Sequence, residues 1–239
     1  MSAVIERPSP NCDARPPGVA VAYLILHYTG MASAEAALAR LCDPAAKVSA
    51  HYTIDEAGRI YAHVPEARRA WHAGRAHWRG ETDLNARSVG IELVNPGHEF
   101  GYRPFPEPQM ARLIALGREI AARYGLGPAA VLGHSDVAPT RKQDPGELFD
   151  WPRLAGAGLG LWPSTVPDTP TDLAEAQGLL GEIGYGLPRH GRLDPETEAV
   201  LVAFQRRYRP RRIDGRLDAE TAGLIAGLHA LLDRPVGKN

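Results

Sequence analysis

Apolar residues along this chain fall into two spacings that outline its elements. Ala22 to Leu26 is an unbroken apolar run, the pattern of a central strand, and it leads into His27. Ser33 follows as an N-cap with Glu35 in the first turn, and Ala36, Ala37, Leu38 and Leu41 continue at helical spacing. Residues 49–54 and 59–64 read as two strands joined through Asp55-Glu56-Ala57-Gly58, a β-hairpin. Residues 88–94 form another strand, apolar on both sides of Glu92, where a carboxylate is costly to bury unless a cation meets it. Met110, Leu113, Ile114 and Ile120 predict a helix over 108–124 that stops at Gly125. Val131-Leu132 is a short strand end running into a loop broken by Pro139 and by Pro145-Gly146. Strands interleaved with helices over residues 1–161 predict an α/β layered domain, preceded within its first 20 residues by a proline-rich extended arm.

The pattern changes after residue 161. Pro163, Pro167 and Pro170 stiffen a linker over 162–170. Within 171–235, Leu173, Ala176, Leu180 and Ile183 keep helical spacing. Gly191-Arg192-Leu193-Asp194-Pro195-Glu196-Thr197 is then echoed by Gly215-Arg216-Leu217-Asp218-Ala219-Glu220-Thr221. Each copy offers an aspartate N-cap, and Pro195 takes the first helical position of the first copy. A small three-helix domain is predicted; two copies do not make a solenoid.

Composition narrows the function. The formal net charge of −1 gives no field that would gather nucleic acid, and the basic run over 206–212 reads as a solvated helix end. Cys12 and Cys42 make no disulfide framework and lack metal-type spacing. The first residues lack the apolar core of an export signal, and no stretch approaches the ~20 apolar residues of a membrane span. A cytoplasmic protein without membrane insertion is the expectation.

The loop over 133–146 places His134, Lys142 and Asp144 in one irregular segment hung on a strand, a setting where catalytic groups tend to sit. His27 ends the upstream strand, and Gly30 lets the chain turn away. Two histidines and an aspartate meet the needs of a zinc ion that keeps one position open. Spacing alone leaves this undecided, because a histidine at a strand end is more often a hydrogen-bonded core residue than a ligand.

The blocks Leu26-His27-Tyr28-Thr29, Val48-Ser49-Ala50-His51-Tyr52, Ala70-Trp71-His72-Ala73-Gly74, Asn85-Ala86-Arg87-Ser88-Val89-Gly90-Ile91-Glu92, and Gly133-His134-Ser135-Asp136 through Lys142-Gln143-Asp144-Pro145-Gly146 carry a resemblance. Together they resemble the zinc N-acetylmuramoyl-L-alanine amidases, a family similar to peptidoglycan recognition proteins, over residues 23–151. The tail, with Gln177, Leu180, Gly184-Tyr185, Thr197, Phe204-Gln205 and Asp214-Gly215, resembles a small three-helix peptidoglycan-binding domain. The resemblance implies a mixed central β-sheet flanked by helices and one zinc ion on His27, His134 and Asp144. It implies that Glu92 takes a proton from water and that Lys142 lies near the scissile carbonyl. The bond cut would join N-acetylmuramic acid to L-alanine.

Tyr28, His51, Trp71, His72 and Arg87 are the expected substrate contacts; some family members carry asparagine where Tyr28 stands. Trp71, Trp78 and Tyr52 compete between a sugar or peptide platform and the core. Glu92 competes with a structural acid paired to Arg87 or Lys142, and Asp136 between orienting His134 and capping a turn. The expected substrate is a 1,6-anhydro-muropeptide recycled in the cytoplasm. The wall-binding type of tail points instead to polymeric peptidoglycan in the periplasm, and a non-catalytic recognition protein would use the same groove.

Overall fold

The computed structural model describes residues 4–167 and 169–232. In chain order the elements are β1 (Ile5–Glu6), β2 (Cys12–Ala14), β3 (Tyr23–Tyr28), α1 (Ala34–Cys42), β4 (Tyr52–Ile54), β5 (Ile60–Ala62), β6 (Arg68–Ala70), α2 (Leu84–Arg87) and β7 (Ser88–Leu93). They continue with α3 (Gly97–Phe100), α4 (Glu107–Tyr124), β8 (Val131–Gly133), α5 (His134–Val137), α6 (Trp151–Gly156), α7 (Leu173–Ile183), α8 (Pro195–Tyr208) and α9 (Ala219–Leu232). Six strands form one sheet in the order β1-β5-β4-β7-β3-β8. It is mixed: β4 and β5 are the antiparallel hairpin, and the other neighbours run parallel.

Local signals act where the sequence places them. The Ser33 hydroxyl accepts from the Ala36 N–H at the start of α1, and Gly125 closes α4 in the left-handed region, where a side chain would be strained. The proline-rich arm is more than an extended lead. Its β1 joins the sheet edge beside β5, and its β2 pairs with β6.

Strand alternation sorts the core into two faces. Leu24 and Leu26 of β3 pack with Val89, Ile91 and Leu93 of β7 against Met110, Leu113 and Ile120 of α4. Ile25 points the other way, into a cluster that joins Trp78 and Leu132 to Leu180, Ile183, Phe204 and Leu228 of the tail. The tail therefore shares a continuous apolar core with the sheet domain.

The internal echo has a physical basis. Gln177 accepts the His190 and Gly191 N–H groups and donates to the Thr197 hydroxyl. Gln205 repeats the arrangement with the Asp214 and Gly215 N–H groups and the Thr221 hydroxyl. Only part of the basic run is solvated: Arg211 and Arg212 are exposed. Arg207 and Arg209 are buried, with Arg209 paired to Asp218 and Asp214, and Arg212 and Arg211 pair with Asp214 and Glu220.

The linker is seated on α9, where Val166 N–H donates to the Gly223 carbonyl. A β-carbon on Gly227 would lie 2.0 Å from the Ser164 carbonyl oxygen. Gly227→Ala should therefore destabilise the fold by about 1–3 kcal/mol through overpacking. Gly181→Ala, in α7 with nothing within 4 Å of the new methyl, should stabilise it by about 0.5–1 kcal/mol. Urea denaturation followed by far-ultraviolet circular dichroism would show the two opposite signs.

Candidate metal centre and its cleft

Three parallel strands end side by side. Residue His27 of β3 pairs in register with Glu92 of β7, and Leu26 pairs with Gly133 of β8, so His134 opens α5 one position later. The carboxyl ends of parallel strands are where open α/β sheets gather ligands. The loop after α5 returns so that Ser135 N–H donates to the Asp144 carbonyl at 2.9 Å. This brings the Asp144 carboxylate to both imidazoles. The His27 and His134 Nδ1 atoms lie 2.9 Å apart, and Asp144 Oδ2 is 3.0 Å from each. All three residues are buried.

Hydrogen bonds on the far side of each ring decide which nitrogen carries its proton. His134 Nε2 faces the Ala73 carbonyl at 3.0 Å, so it donates there and leaves Nδ1 as a lone pair. A chain of three bonds does the same for His27. The Ser88 hydroxyl donates to the Leu84 carbonyl at 2.5 Å and therefore accepts from His72 Nε2 at 3.1 Å. His72 Nδ1 is then the acceptor for the His27 Nε2–H at 3.0 Å, which leaves His27 Nδ1 as a lone pair. Three lone pairs meet with no proton between them. Such a cluster in a dry site is repulsive unless a cation sits among the donors. The donor types and the outer contact to a carbonyl suit a metal held at ~2.0–2.2 Å from each ligand. This is a possible His–His–Asp metal site.

The electrostatics agree. Burial, reinforced by the neighbouring His134, drives the His27 imidazole down to about 4, so it is neutral at physiological pH. Burial alone would raise the Asp144 carboxyl; positive charge and hydrogen-bond donation from the His134 and His27 rings would hold it below the ordinary range, and with both rings neutral that part falls to a cation. Burial pushes Glu92 well above the usual carboxylate range; Asp144 adds to this and Lys142 opposes it. Glu92 Oε2 is buried without a hydrogen-bond partner. Among the described residues Glu92 forms no ion pair with Arg87 or Lys142, so the structural-acid reading gains no support. A buried polar atom with no partner calls for an explanation, and a bound group is one.

The triad and Glu92 line a cleft of about 370 Å³. Tyr28, Trp71, His72 and Lys142 line it too. Tyr28 is held by its hydroxyl, 2.9 Å from His98 Nδ1. His51 and Arg87, expected as substrate contacts, are not among the residues lining this cleft. His51 is fully buried, its Nδ1 accepting from Gly90 N–H and its Nε2 facing the Arg68 carbonyl, so its ring is tied to backbone in the core. Arg87 lies outside the cleft, 3.5 Å from Glu81. Of the three aromatics, only Trp71 reaches the cleft: Trp78 packs on Tyr185 and the Tyr52 hydroxyl donates to Glu66.

Several supporting residues had no assigned role in the sequence. Asn85 Oδ1 accepts the His72 and Ala73 N–H groups, and Ser88 anchors the far end of the histidine chain. Gly90 was the available signal, since an isolated glycine inside a strand marks a close approach. A β-carbon there would stand 2.5 Å from the His72 ring.

A family model described as N-acetylmuramoyl-L-alanine amidase matches residues 17–147, and one described as putative peptidoglycan binding domain matches residues 169–225. The chain is 38% identical over 227 residues to the N-acetylmuramoyl-L-alanine amidase AmiD of Escherichia coli, covering 86% of this chain and 81% of that one. It is 34% identical over 164 residues to the 1,6-anhydro-N-acetylmuramyl-L-alanine amidase AmpD of Salmonella typhimurium, covering 62% and 86%. The structure of Escherichia coli AmiD with the substrate anhydro-N-acetylmuramic acid-L-Ala-D-γ-Glu-L-Lys superposes with a TM-score of 0.81 at 37% identity, over 90% of this chain and 91% of that one. AmpDh3 of Pseudomonas aeruginosa, in complex with anhydromuramic pentapeptide, gives a TM-score of 0.81 at 33% identity, over 89% and 92%.

Buried histidines tie stability to pH. Burial holds His51 and His27 at about 4 in the folded chain, below the ~6.5 of an unfolded histidine. The unfolded state then binds more protons, so stability present above pH ~6.5 is lost as pH falls toward about 4, by roughly 3 kcal/mol per histidine. Metal-free protein should show this slope in denaturant titrations between pH 7 and 4.5, and His51→Gln should flatten it by one proton.

Proposed function

The chain belongs to the N-acetylmuramoyl-L-alanine amidase family, and from that premise we propose that it hydrolyses the amide between N-acetylmuramic acid and L-alanine in 1,6-anhydro-muropeptides, with one zinc ion on His27, His134 and Asp144. The observation that carries this reading is the meeting of three unprotonated donors beside a carboxylate that has one oxygen free. The relatives solved with an anhydro-muramyl peptide favour the anhydro sugar. A purely recognising protein would have no use for an unpaired buried acid at the floor of its groove.

When bound, zinc supplies Lewis acidity at neutral pH. The residues of the chain do the rest. Glu92, raised by burial and seated on a strand, accepts the proton of the attacking water and passes it to the nitrogen of the leaving alanine. Lys142, a cation on the cleft wall, stabilises the oxyanion that develops on the carbonyl. His72 and Ser88 keep His27 in the tautomer that offers Nδ1. Arg40 and Arg141 also line the cleft and match the carboxylates of a stem peptide. For location we propose the cytoplasm, the compartment where a soluble 1,6-anhydro-muropeptide would be met for recycling. A fusion to a reporter active only in the periplasm should stay silent.

Glu92→Gln should lower kcat on an anhydro-muropeptide by about 10²–10⁴-fold while the protein still takes up one zinc ion, measured by product mass spectrometry and metal analysis. Lys142→Met should cost about 10²–10³-fold in kcat with zinc content unchanged. Chelation should abolish hydrolysis and added zinc restore it. Turnover that persists without metal, or products from intact wall but none from anhydro-muropeptides, would count against the reading.

A further inference from the structure

Helix α8 of the tail touches the loop that carries two of the three donors, and it does so near both ends. Asp136, two residues beyond His134, is 1% exposed. Its Oδ2 accepts the Gly133 N–H at 2.7 Å, capping the turn that opens on His134, and also accepts from the Arg207 guanidinium of α8. Its Oδ1 accepts the Tyr185 hydroxyl at 3.0 Å. Arg207 donates as well to the Val131 carbonyl of β8 at 3.1 Å and lies over the Trp151 ring, 3.8 Å from its centre. At the other end, Arg206 donates to the Gln143 side chain at 3.3 Å, next to Asp144, and sits 3.4 Å from Glu147. Glu147 in turn lies 3.1 Å from His98, which holds the Tyr28 hydroxyl.

We propose that the C-terminal domain is part of the scaffold of the metal centre, with Arg207, Tyr185 and Arg206 as positioning residues for loop 133–147. The proposal rests on the zinc reading above. A buried carboxylate that loses its guanidinium is left uncompensated and must turn, hydrate or neutralise. Asp136 cannot turn without releasing the Gly133 N–H, and that N–H caps the turn on which His134 sits. The other fixed point of the His134 ring is one carbonyl, so a shift of the turn passes into the distance between His134 and Asp144. A domain that served only as a tether would not need to bury an arginine and a tyrosine hydroxyl on the acid behind a metal ligand.

The test measures zinc dissociation constants by chelator competition, and the visible spectrum of the cobalt(II) form, on full-length variants whose folding is checked by circular dichroism. Arg207→Met should weaken zinc binding by about 10–100-fold and alter the cobalt spectrum, the range seen when outer partners of metal ligands are removed. Tyr185→Phe, which deletes one hydroxyl, should have a smaller effect of the same sign. The double variant Asp136→Asn with Arg207→Met should recover affinity to within about threefold of wild type, because no buried charge is left alone. Arg79→Met breaks a different contact with the tail, the bond to the Ile183 carbonyl, and should leave zinc affinity unchanged. If Arg207→Met does not fold, Tyr185→Phe and the double variant carry the test. Wild-type affinity and spectrum in the folded single variants would overturn the proposal. A wild-type protein that takes up no zinc would overturn the metal reading instead.

Discussion

The convergence of three acceptor lone pairs within about 3 Å of one another is the constraint around which the rest of this molecule is arranged. In a low-dielectric site these donors repel, and relaxation would spread them apart. They stay together because each is gripped from behind. The His134 ring is held by the Ala73 carbonyl, the His27 ring by His72, Ser88 and the Leu84 carbonyl, and the Asp144 backbone by Ser135. That preorganisation is what a metal site needs, since little reordering remains for binding to drive.

Sheet register supplies the rest. Because β3, β7 and β8 run parallel with their ends aligned, His27 and Glu92 from distant parts of the chain become neighbours without any loop having to reach. His27 and Glu92 share a register pair and so a face, the same face that places Gly90 under the His72 ring. On the opposite face β3 and β7 pack aliphatic side chains against α4. The candidate site thus sits at the strand ends of the face that Ile25 shares with the tail, away from the α4 side.

The tail changes what such a layered domain means. Its helices cover part of the active face through Phe204, Ile183 and Leu228, and two arginines of one helix run back to the ligand loop. The apolar contacts bring stability, and the buried Arg207–Asp136 pair brings register. An ion pair of that kind gains little over packed hydrocarbon, but its geometry tolerates few alternatives.

Much was legible in the chain itself. Periodicity, N-caps and the glycine stop located β3, α1, the hairpin, β7 and α4, because those signals are local and depend on neighbours a few residues apart. The five blocks pointed to the chemistry for the same reason: each keeps its candidate side chains in a short fixed context. What tertiary structure decided is which side chains meet. His51 and His72 look alike in sequence, yet one is bonded to backbone in the core and the other holds the His27 ring at the cleft. The arginines of 206–212 read as solvated, yet Arg207 is buried on an acid 71 residues away. Burial and pairing are set by the whole packed chain, and no window along the sequence contains both partners.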